Sequence, residues 1–111
     1  MCDHKTNKIC MKFVDVDINI IPLVKWLNTF EYVFTKYSCQ GNKDKQPYVL
    51  FYCGENRDIV YILDKTEKYS KMSINSYRGY LRYVLRFNSC ESLSDFYKNE
   101  LKIELQWWEF L

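Results

Sequence analysis

The hydrophobic period of this chain switches repeatedly between two and about 3.6 residues, and that alternation constrains the fold more than any other feature. Residues 12–20 alternate, with Val14, Val16 and Ile18 on one side and Phe13, Asp15, Asp17 and Asn19 on the other. Period two with β-branched side chains predicts a strand. Leu23, Trp26, Leu27 and Phe30 then follow at i, i+3, i+4 and i+7, one apolar stripe of a short helix with Pro22 in its first turn. Residues 31–38 are rich in Tyr, Val, Phe and Thr and predict a second strand. After a polar loop from Gly41 to Pro47, residues 48–53 form a dense apolar run that predicts an inner strand ended by Gly54.

Asn56 is a candidate N-cap for a second helix with Ile59, Ile62 and Leu63 on its stripe. Residues 69–76 read as a loop. Residues 80–87 alternate again, Leu81, Tyr83, Leu85 and Phe87 against Tyr80, Arg82, Val84 and Arg86. Ser92 and Asp95 have capping-box spacing before Phe96 and Tyr97. Leu101, Ile103, Leu105 and Trp107 alternate with Lys102, Glu104, Gln106 and Trp108 and predict a last strand. The expected architecture is therefore α+β: a ferredoxin-like split βαβ (β-α-β-β-α-β) antiparallel sheet, with an added C-terminal α-β. The 111 residues suit a single domain, its first nine residues frayed. No internal repeat or linker divides it.

Composition narrows the function. A net charge of +2 is too balanced for strong nucleic-acid binding. Alanine is absent and aromatics reach 18%, more rings than one small core needs, so some tyrosines are expected on an interface or a ligand wall, or simply on a tyrosine-rich surface. The skew toward Lys, Asn, Ile and Tyr is that of an AT-rich genome, viral or low-GC bacterial. Five cysteines at irregular spacing argue against a secreted disulfide scaffold. With no signal peptide and no membrane-length apolar run, a cytoplasmic setting is expected. Cys2, His4 and Cys10 lack the paired spacing of a zinc site, and with one histidine no Ser-His-Asp or Cys-His unit is expected. No metal, cofactor or catalytic group is assigned.

In the expected wiring the first and fourth strands lie side by side in the sheet centre. Their helix-free faces would bring Phe13, Asp15 and Asp17 beside Tyr80, Arg82 and Arg86, either as a solvated salt-bridge network or as a polar floor for a ligand with anionic and hydroxyl groups. The apolar C-terminal cluster Trp107, Trp108, Phe110 and Leu111 needs cover, from its own core or a second subunit, so a homo-oligomer is expected.

One segment carries a family resemblance. Thr35-Lys36-Tyr37-Ser38-Cys39-Gln40-Gly41 is a T-x-x-S-C-x-G element that follows a W-L-N helix and precedes Pro47-Tyr48-Val49-Leu50-Phe51. It resembles small proteins of phages and bacteria, and it is similar to the S-C-S-G segment of the wybutosine-synthesis methyltransferase-like family. Residues 14–51 carry the likeness. Read from the residues alone, Ser38, Cys39 and Gly41 at a strand end offer backbone N–H groups and a hydroxyl for a small anion nest, with Thr35 nearby and Lys43 and Lys45 above; an ordinary hairpin turn with a buried Cys39 fits the same letters.

The leading expectation is a non-enzymatic, phage-encoded protein that sequesters a nucleotide-like or phosphorylated signal and so counters host defence. Its ligand-binding residues would be Thr35, Tyr37, Ser38, Cys39, Gly41, Tyr48, Tyr80, Arg82 and Arg86. Two alternatives stand beside it. The methyltransferase-like resemblance implies a reduced tRNA-modification enzyme using Ser38 with Asp15 or Asp17. The aromatic surplus fits a protein–protein inhibitor of a host factor.

Overall fold

The computed structural model describes residues 6–9 and 14–103, with side chains from Asp17 onward. The chain runs β1 (Thr6–Ile9), β2 (Val14–Asp17), a 3-10 turn, α1 (Ile21–Leu27), β3 (Val33–Cys39), β4 (Tyr48–Cys53), α2 (Asn56–Thr66), β5 (Ser70–Tyr77), β6 (Tyr80–Phe87) and α3 (Cys90–Phe96), which widens into a π turn over Tyr97–Leu101. It is an α+β fold built on a four-stranded antiparallel sheet and three helices, as expected.

The wiring of the sheet departs from expectation. Its order is β3-β4-β6-β5, and β2 pairs antiparallel with β1 in a separate two-stranded ribbon. The strand placed by expectation beside residues 80–87 is therefore absent from the sheet, and β4 takes that position: Val49 pairs with Leu85 and Phe51 with Tyr83. Residues 6–9, expected to be frayed, form the outer strand of the ribbon. The first strand also stops early, because the chain tightens into a 3-10 turn at Ile18 and enters α1 with Pro22 in its first turn, where a missing N–H costs nothing.

Residues 69–76 are not a loop. Ser70–Tyr77 is a full edge strand paired with β6 from Ser70–Phe87 to Tyr77–Tyr80. The link is Arg78-Gly79, both at positive φ (51° and 83°), the two-residue geometry whose twist matches a hairpin. Gly79 accepts that conformation without strain. The cap of α3 also moves: Ser89 is the N-cap, its Oγ accepting the Ser92 N–H at 3.0 Å. At the other end, Leu101 closes the π turn and Lys102 adopts a left-handed conformation, so no strand begins at Leu101. The remainder of the expected last strand, with Trp107, Trp108, Phe110 and Leu111, lies outside the described residues.

The helices pack on one face of the sheet. Val49, Phe51, Leu85 and Phe87 on that face are fully buried against Leu23, Leu27, Ile62, Leu93 and Phe96. Phe96 lies at the junction of the rings, with centroids 5.4 Å from both Trp26 and Phe87 in tilted or edge geometry. Tyr97 is buried with its hydroxyl satisfied twice: it donates to the Asn19 carbonyl (2.8 Å) and accepts from the Leu23 N–H (3.4 Å). That pair of bonds ties the end of α3 to the start of α1.

Candidate functional site on the helix-free sheet face

Alternation along each strand sends the other set of side chains away from the helices. Tyr48, Leu50 and Tyr52 of β4 share this face with Tyr80, Arg82, Val84 and Arg86 of β6, with Lys71, Ser73, Asn75 and Tyr77 of β5, and with Phe34 and Tyr37 of β3. The assignment of Tyr80, Arg82 and Arg86 to the helix-free side was legible in the period of residues 80–87. Large rings stay in contact with solvent there: Phe34 is 51%, Tyr37 55% and Tyr80 69% exposed.

A β-bulge reshapes β3. Thr35 pairs with Phe51 and Tyr37 with Leu50, which leaves Lys36 as an extra residue with no partner of its own. A bulge re-aims side chains. Here Lys36 joins Phe34, Tyr52, Tyr80 and Leu81 around a recess of about 520 Å³ that Cys53 and Gly54 also line. That volume is in the range of small-molecule sites. At the opposite end of the face, Lys71, Ser73 and Arg86 line a smaller recess of about 310 Å³ with Gln46 and Asn88.

The arginines are held by rings and amides. Arg82 donates from Nε to Asn75 Oδ1 (2.9 Å) and lies 4.6 Å from the Tyr77 ring centroid. Arg86 stands 5.7 Å from the Tyr48 ring centroid. The ion pair found among the described residues is Lys65–Glu100 at 4.0 Å, far from both arginines in sequence and on other elements. The four strands contain Lys36, Lys71, Arg82 and Arg86 and no Asp or Glu at all. A chain of net charge +2 thus gathers four cations on the strands of one sheet, none of them in an ion pair among the described residues. Guanidiniums stacked on rings keep their N–H forks available to phosphate or carboxylate.

Of the remaining expected site residues, Cys39 pairs with Tyr48 and so falls on the helix-free side, whereas Thr35, Ser38 and Gly41 do not join that face. Thr35 points toward the helices, its Oγ1 accepting from Asn28 Nδ2 at 2.9 Å. Ser38 pairs with Val49 and so shares the helix-facing side. At the turn of the expected anion nest, three N–H groups are already engaged. The Gln40 N–H reaches Asp17 Oδ2 (3.0 Å), the Gly41 N–H reaches Cys39 Sγ (3.4 Å) and the Asn42 N–H reaches the Lys45 carbonyl (3.0 Å). Gly41 is a packing requirement: at φ 75°, an added Cβ would lie 2.6 Å from the Lys45 oxygen and 2.7 Å from the Pro47 nitrogen. Cys39 is buried and disulfide-bonded, so it is not a free thiol.

The floor of Asp15 and Asp17 against Arg82 and Arg86 is not formed, since β2 is not a neighbour of β6. Asp17 is buried and serves the Gln40 backbone, a structural duty. The free thiols are likewise quiet. Burial pushes Cys90 up to about 11, with Glu91 adding to the shift, and its Sγ points at the Asn42 carbonyl (3.4 Å). Burial also raises Cys53, partly opposed by a hydrogen bond to the Glu55 carbonyl. Both are thiols rather than thiolates near neutrality, the unreactive form. No cluster of three metal-ligating side chains occurs among the described residues, and Cys2, His4 and Cys10 lie outside them. No described helix is long and apolar enough to cross a membrane.

Sequence reasoning missed Phe34, Lys36, Tyr52, Lys71 and Tyr77. Phe34 and Tyr52 were readable from alternation with Val33 and Phe51. Lys36 was not, since nothing in the letters marks a bulge. Lys71 and Tyr77 were lost when their strand was read as a loop. No family model, curated protein or solved structure matches the chain.

Proposed function

We propose that this chain is a binding protein that holds a nucleotide-like or otherwise phosphorylated small molecule on the helix-free face of its sheet. The observation that carries the reading is the recess of Phe34, Tyr52 and Tyr80 with Lys36 at its wall, on a sheet whose strands bear four cations and no carboxylate. Rings supply a stacking surface for a planar base, and Lys36 and Arg82 supply charge for its phosphate. Sequestration of a signal nucleotide in a host cell is the biological form of the proposal, and it rests on the resemblance of residues 35–41 to small phage proteins. Self-association belongs to it as well, supported by the edge position of β5 among the described strands, where Lys71 is the single charged residue of the strand.

The test is calorimetric titration with nucleoside mono- and diphosphates, followed by heat release and mass analysis of what was held. Intact nucleotide bound at one equivalent, with affinity lowered at least tenfold by Tyr52→Ala or Tyr80→Ala, is the expected result. A chemically altered nucleotide would transfer the reading to the modification-enzyme class. Absence of any nucleotide binding would overturn it in favour of a protein–protein inhibitor.

A further inference from the structure

The two recesses of the helix-free face lie on the same central strand. Tyr80, at the start of β6, lines the aromatic recess, and Arg86, six residues further along, lines the basic one. At about 3.4 Å per residue their separation along the strand is roughly 20 Å. Between them Arg82 lies against Tyr77, on the same face. Arg86 pairs in register with Lys71 on β5, so the far recess is flanked by two adjacent cations. Ser73 and Gln46 add neutral polar groups to its lining.

One mononucleotide fills the aromatic recess and leaves the cations at the far end unused. A stacked nucleic-acid strand advances about 3.4 Å per nucleotide, so roughly 20 Å corresponds to about six stacked nucleotides, fewer when bases are splayed. A duplex does not suit the face, because its bases are already paired and stacked and cannot enter the aromatic recess. Aromatic side chains beside a line of cations, with no carboxylate on the sheet, are the elements of a single-strand platform.

Building on the proposed nucleotide recess, we infer that the face takes a short single-stranded oligonucleotide, one base stacked among Phe34, Tyr52 and Tyr80 and its phosphates running past Arg82 to Arg86 and Lys71. This departs from the expectation, drawn from net charge, that nucleic acid is not a strong partner. Net charge averages over the molecule, whereas a strand of nucleic acid senses the charge of the face it lies on.

The experiment is fluorescence anisotropy with labelled hexauridylate, in competition with uridine monophosphate and with a blunt RNA duplex of matching length. Hexauridylate is expected to bind at least tenfold tighter than the monophosphate and the duplex. With about three phosphates neutralised, log K is expected to fall against log salt with a slope of about −2. Arg86→Ala and Lys71→Ala should each reduce that slope by roughly 0.7 and leave monophosphate binding unchanged. Equal affinity for monophosphate and hexamer, or for hexamer and duplex, overturns the inference while leaving the nucleotide recess standing. A hexamer affinity indifferent to Arg86→Ala and Lys71→Ala overturns it as well. If neither monophosphate nor hexamer binds, the recess itself is refuted.

Discussion

The two faces of the four-stranded sheet are built from the same strands and similar residue types, yet they differ in what they meet. Toward the helices, Val49, Phe51, Leu85 and Phe87 are sealed from solvent. Away from them, Phe34, Tyr37, Tyr77 and Tyr80 keep roughly half or more of their surface in water. Both faces carry rings, so aromatic content alone does not distinguish core from site. The partners do: carbon on one side, guanidinium and amide on the other. Buried apolar area of the first kind holds the fold, while the half-exposed rings of the second kind contribute less to stability.

The largest test of that division is Phe51→Ala. Phe51 is fully buried and stacks on Tyr83 at 5.6 Å, so its loss is expected to cost about 3–5 kcal/mol in denaturant unfolding. A loss below about 1 kcal/mol would mean that the helix-facing side is not the structural one. Next is Gly41→Ala, where the positive φ and the close backbone of Lys45 and Pro47 act together. A destabilisation of about 2 kcal/mol is expected, with nucleotide affinity per folded molecule retained because the proposed recess does not include the turn. Affinity lost at full stability would restore the turn to the site.

The pH dependence of stability separates the faces by a different route. Cys90 and Tyr97, both on the helix side, are held neutral by burial, with Cys90 raised from an ordinary 9.0 to about 11 and Tyr97 raised further above its ordinary value. The unfolded chain releases these protons first, so the folded state binds more protons in that window and stability falls as pH rises. It is fully present below about pH 9 and declines from there toward pH 11, and Cys90→Ala should flatten the lower part of that decline in urea titrations. An unchanged profile would show that Cys90 is not shielded as its surroundings require.

How much of this was legible follows from where tertiary context acts. Tyr48–Cys53 and Tyr80–Phe87 were read with their observed bounds, since β-branched and aromatic alternation on central strands is strong. Leu23 and Leu27 were read as core because a helical stripe shows in the letters. β5 was hidden, since Ser, Lys, Asn and Met make a weak strand signal and its pairing comes from β6; the Arg78-Gly79 turn was the overlooked clue. The site was half legible. Tyr80, Arg82 and Arg86 came from period, whereas the engagement of the Gln40, Gly41 and Asn42 N–H groups was hidden, because a sequence does not show which N–H groups its own chain has already taken.

The smallest expected effect sharpens the comparison most. Tyr80 is 69% exposed and Arg82 meets Asn75 and Tyr77 at the surface, so neither side chain is part of the packing that the helices seal. Tyr80→Ala and Arg82→Ala should therefore change unfolding free energy by no more than about 0.5 kcal/mol. Base–aromatic stacking is worth about 1–3 kcal/mol, so Tyr80→Ala should still weaken nucleotide binding by roughly tenfold to a hundredfold. Phe51→Ala must show the reverse pattern, a large loss of stability with affinity preserved in the fraction that stays folded. If Tyr80→Ala instead unfolds the protein by several kcal/mol, its ring belongs to the structure, and the helix-free face is a second packing surface rather than a binding one.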